Sequence, residues 1–310
     1  MAEQKFLTEL EPGKVASSAL SLLKYQLVLG RLVHRDAEGD FHGGIGTTVN
    51  VRKPMGADDA EDLAMDGGTD ATIQKVTEAH VPVVLNKQPA HTVKLTAKEA
   101  SLDLVSFSQQ VLMPQTAKMG EKIERYIGIE MDKQLPKAAG RTELSAKAVR
   151  NSVIDARTKL TRANVPAAGR VLVCDPEFYA ELLKDELFIK VNESGSSEAL
   201  RNAMVGRILG FDVYESNIIG TSLKSGDAVA NGCAIAMSRD AFALAVRVPN
   251  AAQGGASSAS ASEQGFGLRW VRDFDMKTRS DLSGLDAFAG TATLDAKRAV
   301  GIAFKPAATV

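Results

Sequence analysis

The glycine-rich run Gly43 to Thr48, GGIGTT, is the first place in this chain where backbone N–H groups could cradle a phosphate. It lacks a third glycine and a GK[ST] ending, and it leads toward a strand-like segment where phosphate binding needs a helix N-terminus. His34, His42, His80 and His91 could each ligate zinc, but no two of them stand at i,i+4 on a helix. Between Met55 and Asp70 six carboxylates, Asp58, Asp59, Glu61, Asp62, Asp66 and Asp70, occur with no Lys or Arg among them. Hard cations take such oxygens, yet the spacing is not that of an EF-hand. A solvated tip, or a surface that meets basic residues on another subunit, accounts for the run better, so these six residues are the candidate assembly contacts. Arg201 and Arg207 would suit an anion, but no phosphate-binding loop accompanies them. Cys174 and Cys233 form no CxxC pair and read as buried small hydrophobes in a reduced compartment. Neither G-x-S-x-G nor H-E-x-x-H occurs. No catalytic, cofactor-binding or metal-binding residue is assigned, and the chain is not expected to be an enzyme.

Composition narrows the class further. The 310 residues are 45% hydrophobic, enough for a real core, and 37 Lys+Arg against 38 Asp+Glu leave a net charge of -1. A global basic field of the kind that wraps nucleic acid is absent. No apolar run reaches the roughly 20 residues of a membrane span, and the first residues, MAEQKFLTELEPGK, contain no signal-peptide core. Synthesis in the cytoplasm without membrane association is the expectation.

The elements read as follows. Ala16, Leu20, Leu23 and Leu27 sit at helical spacing after Pro12 and Gly13, an amphipathic arm helix that needs a partner and has no evident one within its own chain. Val49 and Val51 alternate with polar residues up to Pro54, and strand-like segments return at 74–77, 81–85 and 91–95. The block Thr47 to Leu95 is therefore expected to be a long projecting hairpin with the acidic run at its tip. Pro114 to Leu135 carries Met119, Ile123, Ile127, Met131 and Leu135 at intervals of four, between a proline that suits a first turn and Pro136, which stops the helix. Such a helix is ~33 Å long, and its internal Gly120 and Gly128 suggest close packing or bending. A second helix presents Val149, Val153, Ala156, Leu160 and Ala163 on one face and ends before Pro166. Arg170 to Cys174 reads as a buried strand, with Asp175 and Pro176 as cap and first residue of a helix placing Tyr179, Leu182 and Leu183 inward. Strands follow at Phe211 to Glu215, Cys233 to Met237 and Phe242 to Val246. The small-residue run from Asn250 to Gly265 reads as a flexible loop. Beyond it Phe266, Leu268, Trp270, Phe274 and Met276 share one face of a strand that only Arg272 interrupts, with Trp270 as core anchor, and AVGIAFKP forms a last strand.

Two segments, ALSLLKYQLVLGRLVHRD through the glycine-rich turn to GTTVNVRKP, and LGFDVYESN from Leu209 to Asn217, resemble the tailed-bacteriophage major capsid (coat) protein family. Encapsulins and the herpesvirus capsid floor share that fold. The resemblance implies an α+β fold with an N-terminal arm (1–46), an extended-loop hairpin (47–95), a peripheral domain with a long spine helix (96–140 and 266–310), and an axial α/β domain (141–265) that includes a flexible loop at 250–265. It also implies a major capsid protein that assembles as pentamers and hexamers into an icosahedral virion shell around double-stranded DNA, without sequence-specific binding. A portal protein would be a further partner. The short arm points to a separate scaffolding protein, and no cofactor is implied. An encapsulin-like shell for cargo enzymes is the alternative, and an α/β metabolic enzyme a remoter one. A long hairpin lying across a neighbour would carry the assembly function by burying surface without fixing the angle between subunits.

Overall fold

The computed structural model describes residues 12–35, 46–52, 80–96, 98, 107–136, 142–185, 206–220, 232–250, 257–263 and 266–305. Its helices are α1 (Pro12–Gln26), α2 (Leu29–Leu32), α3 (Met113–Asp132), α4 (Ala146–Arg162) and α5 (Pro176–Leu183). The strands run β1 (Thr48–Arg52), β2 (His80–Val84), β3 (Ala90–Thr96), β4 (Arg170–Cys174), β5 (Arg207–Ile208), β6 (Phe211–Glu215) and β7 (Cys233–Ser238). They continue as β8 (Phe242–Arg247), β9 (Ser257–Glu263), β10 (Phe266–Asp275), β11 (Ser280–Asp286), β12 (Phe288–Thr293) and β13 (Ala299–Ala303).

These strands build a five-stranded sheet in the order β13-β7-β4-β6-β5, a four-stranded sheet β3-β11-β10-β9, and two pairs, β1-β2 and β12-β8. Among the described strands β4 and β6 pair in parallel and the other ladders are antiparallel. All five residues of β4 and all six of β7 are buried, because both faces of the five-stranded sheet are covered. On one face Leu172, Cys174, Ala234 and Ala236 pack with Val149, Val153, Ala156 and Leu160 of α4 and with Phe178 and Leu182 of α5. On the other, Val171, Val173, Ile235 and Met237 join a core shared with α3 and α1.

The spacing of four along α3 is matched by the burial of Met119, Ile123, Ile127, Met131 and Leu135. A π-helical turn, Ser108–Leu112, precedes the helix, whose 20 residues span ~30 Å. Gly128 is needed for packing: a Cβ there would come within 2.7 Å of the Ile218 side chain. At α5 the expected cap is present, with the Asp175 carboxylate accepting from Phe178 N–H at 2.7 Å. Phe178 and Leu182 form its buried side, whereas Leu183, expected inward, is largely exposed. The turn that follows α4 is held by Arg170, which donates to the carbonyls of Val165 and Pro166 and to Thr161 Oγ1. One fork of donors thus ties the start of β4 to the chain leaving the helix.

Three expectations fail here. The arm helix has a partner within its own chain: Val15, Ala16, Ala19, Leu20 and Leu23 are buried against α3, β9 and β10. Much of the loop expected at 250–265 is strand β9, whose register with β10 sets Ala261 opposite Leu268 and Ala259 opposite Trp270. Its residues are small because α1 lies directly over them, and the Ala/Ser alternation is the period of a strand. The apolar face of β10 is also buried over only part of its length. Phe266, Leu268 and Trp270 are covered, while Phe274 and Met276 are 51% and 79% exposed, past the point where any described element covers the sheet.

Two glycines make a direct test of this packing. A Cβ on Gly290 would stand 2.3 Å from the Val84 carbonyl oxygen, which is backbone and cannot rotate away, whereas one on Gly13 meets nothing within 4 Å. Gly290→Ala is expected to cost about 1–3 kcal/mol or more, and Gly13→Ala to be neutral or to stabilise by up to about 1 kcal/mol. Urea midpoints moving the same way in both variants would contradict this placement of β12 on β2.

Candidate assembly surfaces and the joints that hold them

Four buried polar side chains break the apolar surface of α3: Gln115, Thr116, Glu124 and Asp132. Thr116 bonds back to the Leu112 carbonyl within the helix. The other three reach distant segments. Gln115 donates to the Ser283 carbonyl at 2.7 Å and to the His91 carbonyl at 3.3 Å, and accepts from Ser283 Oγ, itself bonded to Trp270 Nε1. This fixes β3, β10 and β11 to the start of the helix. Glu124 accepts from Gly30 N–H at 3.0 Å, and Leu29 and Val28 also donate to it, so the end of the arm is tied to the middle of the helix. Asp132 accepts from Gly220 N–H at 2.8 Å, holding the turn that follows β6. Burial pushes the Glu124 carboxyl above the ordinary glutamate value, and the three backbone donors only partly oppose it.

A comparable joint holds the five-stranded sheet. Besides capping α5, Asp175 accepts from Gly232 N–H at 2.8 Å and lies 3.8 Å from the Cys233 thiol. Burial raises its carboxyl, and burial together with the neighbouring carboxylates drives the Cys174 thiol well up. Both cysteines are buried and free, as expected of packing residues.

Of the hairpin expected from the sequence, the described residues show the β1-β2 pair, with Thr48 opposite Val84 and Arg52 opposite His80. Val49, Val51 and Val83 form a small core with Ala243, Ala245 and Leu294. The six acidic residues, Asp58, Asp59, Glu61, Asp62, Asp66 and Asp70, lie outside the described residues, as do the expected strand at 74–77, His42, Arg201 and the first half of the GGIGTT run. β3, placed by sequence in the same hairpin, pairs with β11 of the four-stranded sheet.

The remaining sequence candidates are scattered. His34 is the arm's last anchor, its backbone bonded both ways to β8 and its Nδ1 3.7 Å from Asp240. His80 and His91 lie in β2 and β3, and no metal-ligating group of three or more forms among the described residues. Arg207 pairs with Asp212 at 3.8 Å. Two surface features escaped sequence reasoning. The first is the β10-β11 turn, with Phe274 and Met276 exposed on a bend stiffened by Asp275, which accepts from Lys277 N–H and Thr278 Oγ1. The other is an open cleft of about 500 Å³ between α3, the arm and the turn after β6, lined by Val28, Ala117, Glu121, Glu124, Pro176, Glu215, Ser216, Asn217 and Ile218.

Comparison with known proteins places this architecture. No protein-family model and no curated protein matches the chain. Among solved structures, a protein of Mycobacterium phage Che8 aligns at TM-score 0.63 with 16% identity, over 89% of this chain and 90% of the other. The capsid of the cyanophage P-SCSP1u aligns at 0.59 with 11% identity, over 85% and 84%. A virus-like particle from Pyrococcus furiosus aligns at 0.50 with 11% identity, over 93% and 97%. The chain has the α+β fold of tailed-phage capsid proteins.

The Glu124 joint yields a pH prediction with a definite sign. Its pKa is raised on folding, so the native state keeps this proton to higher pH than the unfolded chain. The contribution is full below the unfolded glutamate value and is lost as pH rises toward the folded one. The stability of the natural chain relative to Glu124→Gln, which keeps an acceptor without the charge, should therefore fall steadily from about pH 4 upward. Glu124→Ala, which strands the N–H groups of the arm, is expected to lose about 1–3 kcal/mol at neutral pH. Urea melts across the pH series check both, and a difference from Gln that is flat or rises with pH would refute the assignment.

Proposed function

We propose that this chain is a major capsid protein, a structural subunit without catalytic activity. It assembles as pentamers and hexamers into an icosahedral shell around double-stranded DNA, the virion being built in the host cytoplasm. The observation that supports this reading is the alignment of 85% of the chain on the capsid of the cyanophage P-SCSP1u and of 86% on the mature capsid of bacteriophage PhiM1. In this assignment α1 and α2 belong to the arm, the β1-β2 pair to the base of the extended loop, α3 as spine with the four-stranded sheet to the peripheral domain, and α4 and α5 with the five-stranded sheet to the axial domain, so that β3 and β9 fall to the peripheral domain and β13 to the axial one. The carboxylates from Asp58 to Asp70 are candidate contacts with a neighbouring subunit. A separate scaffolding protein and a portal protein complete the set of partners.

A shell that encloses protein cargo is the second reading, favoured by the alignment of 93% of the chain, at a lower TM-score of 0.50, on the virus-like particle from Pyrococcus furiosus. Nuclease-protected DNA in purified particles would decide for the first reading, and co-purifying cargo protein for the second.

The test of either is assembly itself. Light scattering and negative-stain microscopy over a range of protein and salt concentration, with and without scaffolding protein, should reveal capsomers, tubes or closed shells. Persistent monomers throughout would overturn the proposal. Deletion of residues 56–72 should leave a folded subunit, judged by its thermal melt, that no longer closes shells. A deletion variant that assembles normally would remove the acidic run from the assembly machinery.

A further inference from the structure

The net charge of -1 conceals a separation of charge over the surface. Helix α4 carries Lys147, Arg150, Arg157, Lys159 and Arg162 against a single acid, Asp155. Arg150 is engaged with Asp185 at 3.2 Å. The other four cations have no ion pair among the described residues and stand on the solvent side, opposite the buried Val149, Val153, Ala156 and Leu160. Among them sits Ile154, an apolar side chain left 42% exposed.

The cleft beside α3 is the inverse of this surface. Among the described residues, the charged ones lining it are the carboxylates Glu121, Glu124 and Glu215, and its apolar lining includes Val28, Ala117, Pro176 and Ile218. Glu215 at its rim, and Glu177 next to Pro176, are exposed and have no basic partner among the described residues. The carboxyl of Glu177 is pushed up by partial burial and by the nearby Asp175; of the cleft's carboxylates Glu121 is paired with Lys118 and Arg125, which leaves Glu177 and Glu215 as the acids open to a partner. An apolar centre with a charged rim is the ordinary anatomy of a protein interface.

We propose that the solvent face of α4, with Ile154 at its centre and Lys147, Arg157, Lys159 and Arg162 around it, docks on the cleft of a second copy of this chain, against Glu177 and Glu215. The two patches are different surfaces of one molecule, so the contact is head-to-tail, and head-to-tail contacts close into rings when the rotation permits. The inference rests on the shell-forming reading and adds to it one specific contact within the ring. Opposed charge also gives the contact direction: α4 against α4, or cleft against cleft, sets like charges together. Because these charges are exposed, the attraction weakens as salt shortens the screening length to ~3 Å at 1 M.

A charge-exchange experiment on the full chain tests this. Variant one is Lys147→Glu/Arg157→Glu/Arg162→Glu; variant two is Glu177→Lys/Glu215→Lys. Each alone should raise the concentration needed for capsomers about tenfold or more in sedimentation velocity, as expected when an opposed pair becomes a like pair. Mixed one to one they should recover rings, since each variant's α4 then meets the other's cleft with opposite sign. Recovery should favour even-numbered rings, because alternation is impossible around a ring of five. Circular dichroism establishes that each variant is folded. If either is not, the neutral forms, Gln at the same positions, should show a smaller loss in the same direction. If the natural chain forms capsomers and the variants do so equally well, or the mixture recovers nothing, this contact is wrong while the shell reading stands. If the natural chain forms no capsomers at all, the shell reading falls and the contact with it.

Discussion

The arrangement depends on buried polar groups along one helix having to be satisfied. A carboxylate removed from water without donors would cost several kcal/mol, so Glu124 and Asp132 can occupy the buried side of α3 only if other segments bring N–H groups to them. Those segments lie 94 and 88 residues away in the chain. Gln115 extends the same logic to a partner 168 residues away. Apolar burial supplies most of the attraction between these parts, but it is not directional, and many sliding positions of the arm over α3 would bury similar area. Matching a carboxylate to particular amides removes that freedom. The helix therefore acts as a rod with three fixed attachment points, one each for the four-stranded sheet, the arm and the turn after β6.

This rod makes one body from what would otherwise be two. The five-stranded sheet divides its side chains between cores, odd positions of β4 facing the spine and even positions facing α4 and α5. Neither core can shift without disturbing strands that belong to the other. Backbone contacts tighten the seam: Gly301 lies where any side chain would meet the Gln134 carbonyl at 2.1 Å, and Asp175 binds the start of β7 to the start of α5. On the proposed reading a body joined in this way suits a shell subunit, which must repeat unchanged while its contacts adapt.

How much of this was legible in the sequence follows from the kind of force involved. Spacing of apolar residues reports burial directly, so the spine, the face of α4 and the buried strand RVLVC were readable, and so was the Asp175-Pro176 helix start, a local motif. Long-range polar bonds leave no such trace. Glu124 and Asp132 have the appearance of surface residues on an amphipathic helix until their distant donors are known. Strand β9 was hidden for a different reason: Ser and Ala are the composition of a linker, and only their alternation, with the tight space under α1, marks them as sheet. Met276 was misassigned because periodicity states which side of a strand is apolar but not how far along it the cover extends.

The exposed apolar residues carry the argument one step further. Phe274 and Met276 stand on a turn ordered by its own hydrogen bonds, and Ile154 stands on a helix whose other side is fully packed. Side chains on such supports have little backbone freedom left to lose on binding, which lowers the entropic cost of a contact. A shell needs contacts that are individually weak, so that errors can be undone, yet numerous enough to sum to a stable particle. Small apolar centres on rigid supports, rimmed by exposed charges worth little singly in salt, meet both demands. A larger apolar patch would bind more tightly and correct its errors more slowly, since affinity is gained chiefly by slower dissociation. On the proposed shell reading, the modest size of these patches is thus what reversible assembly requires.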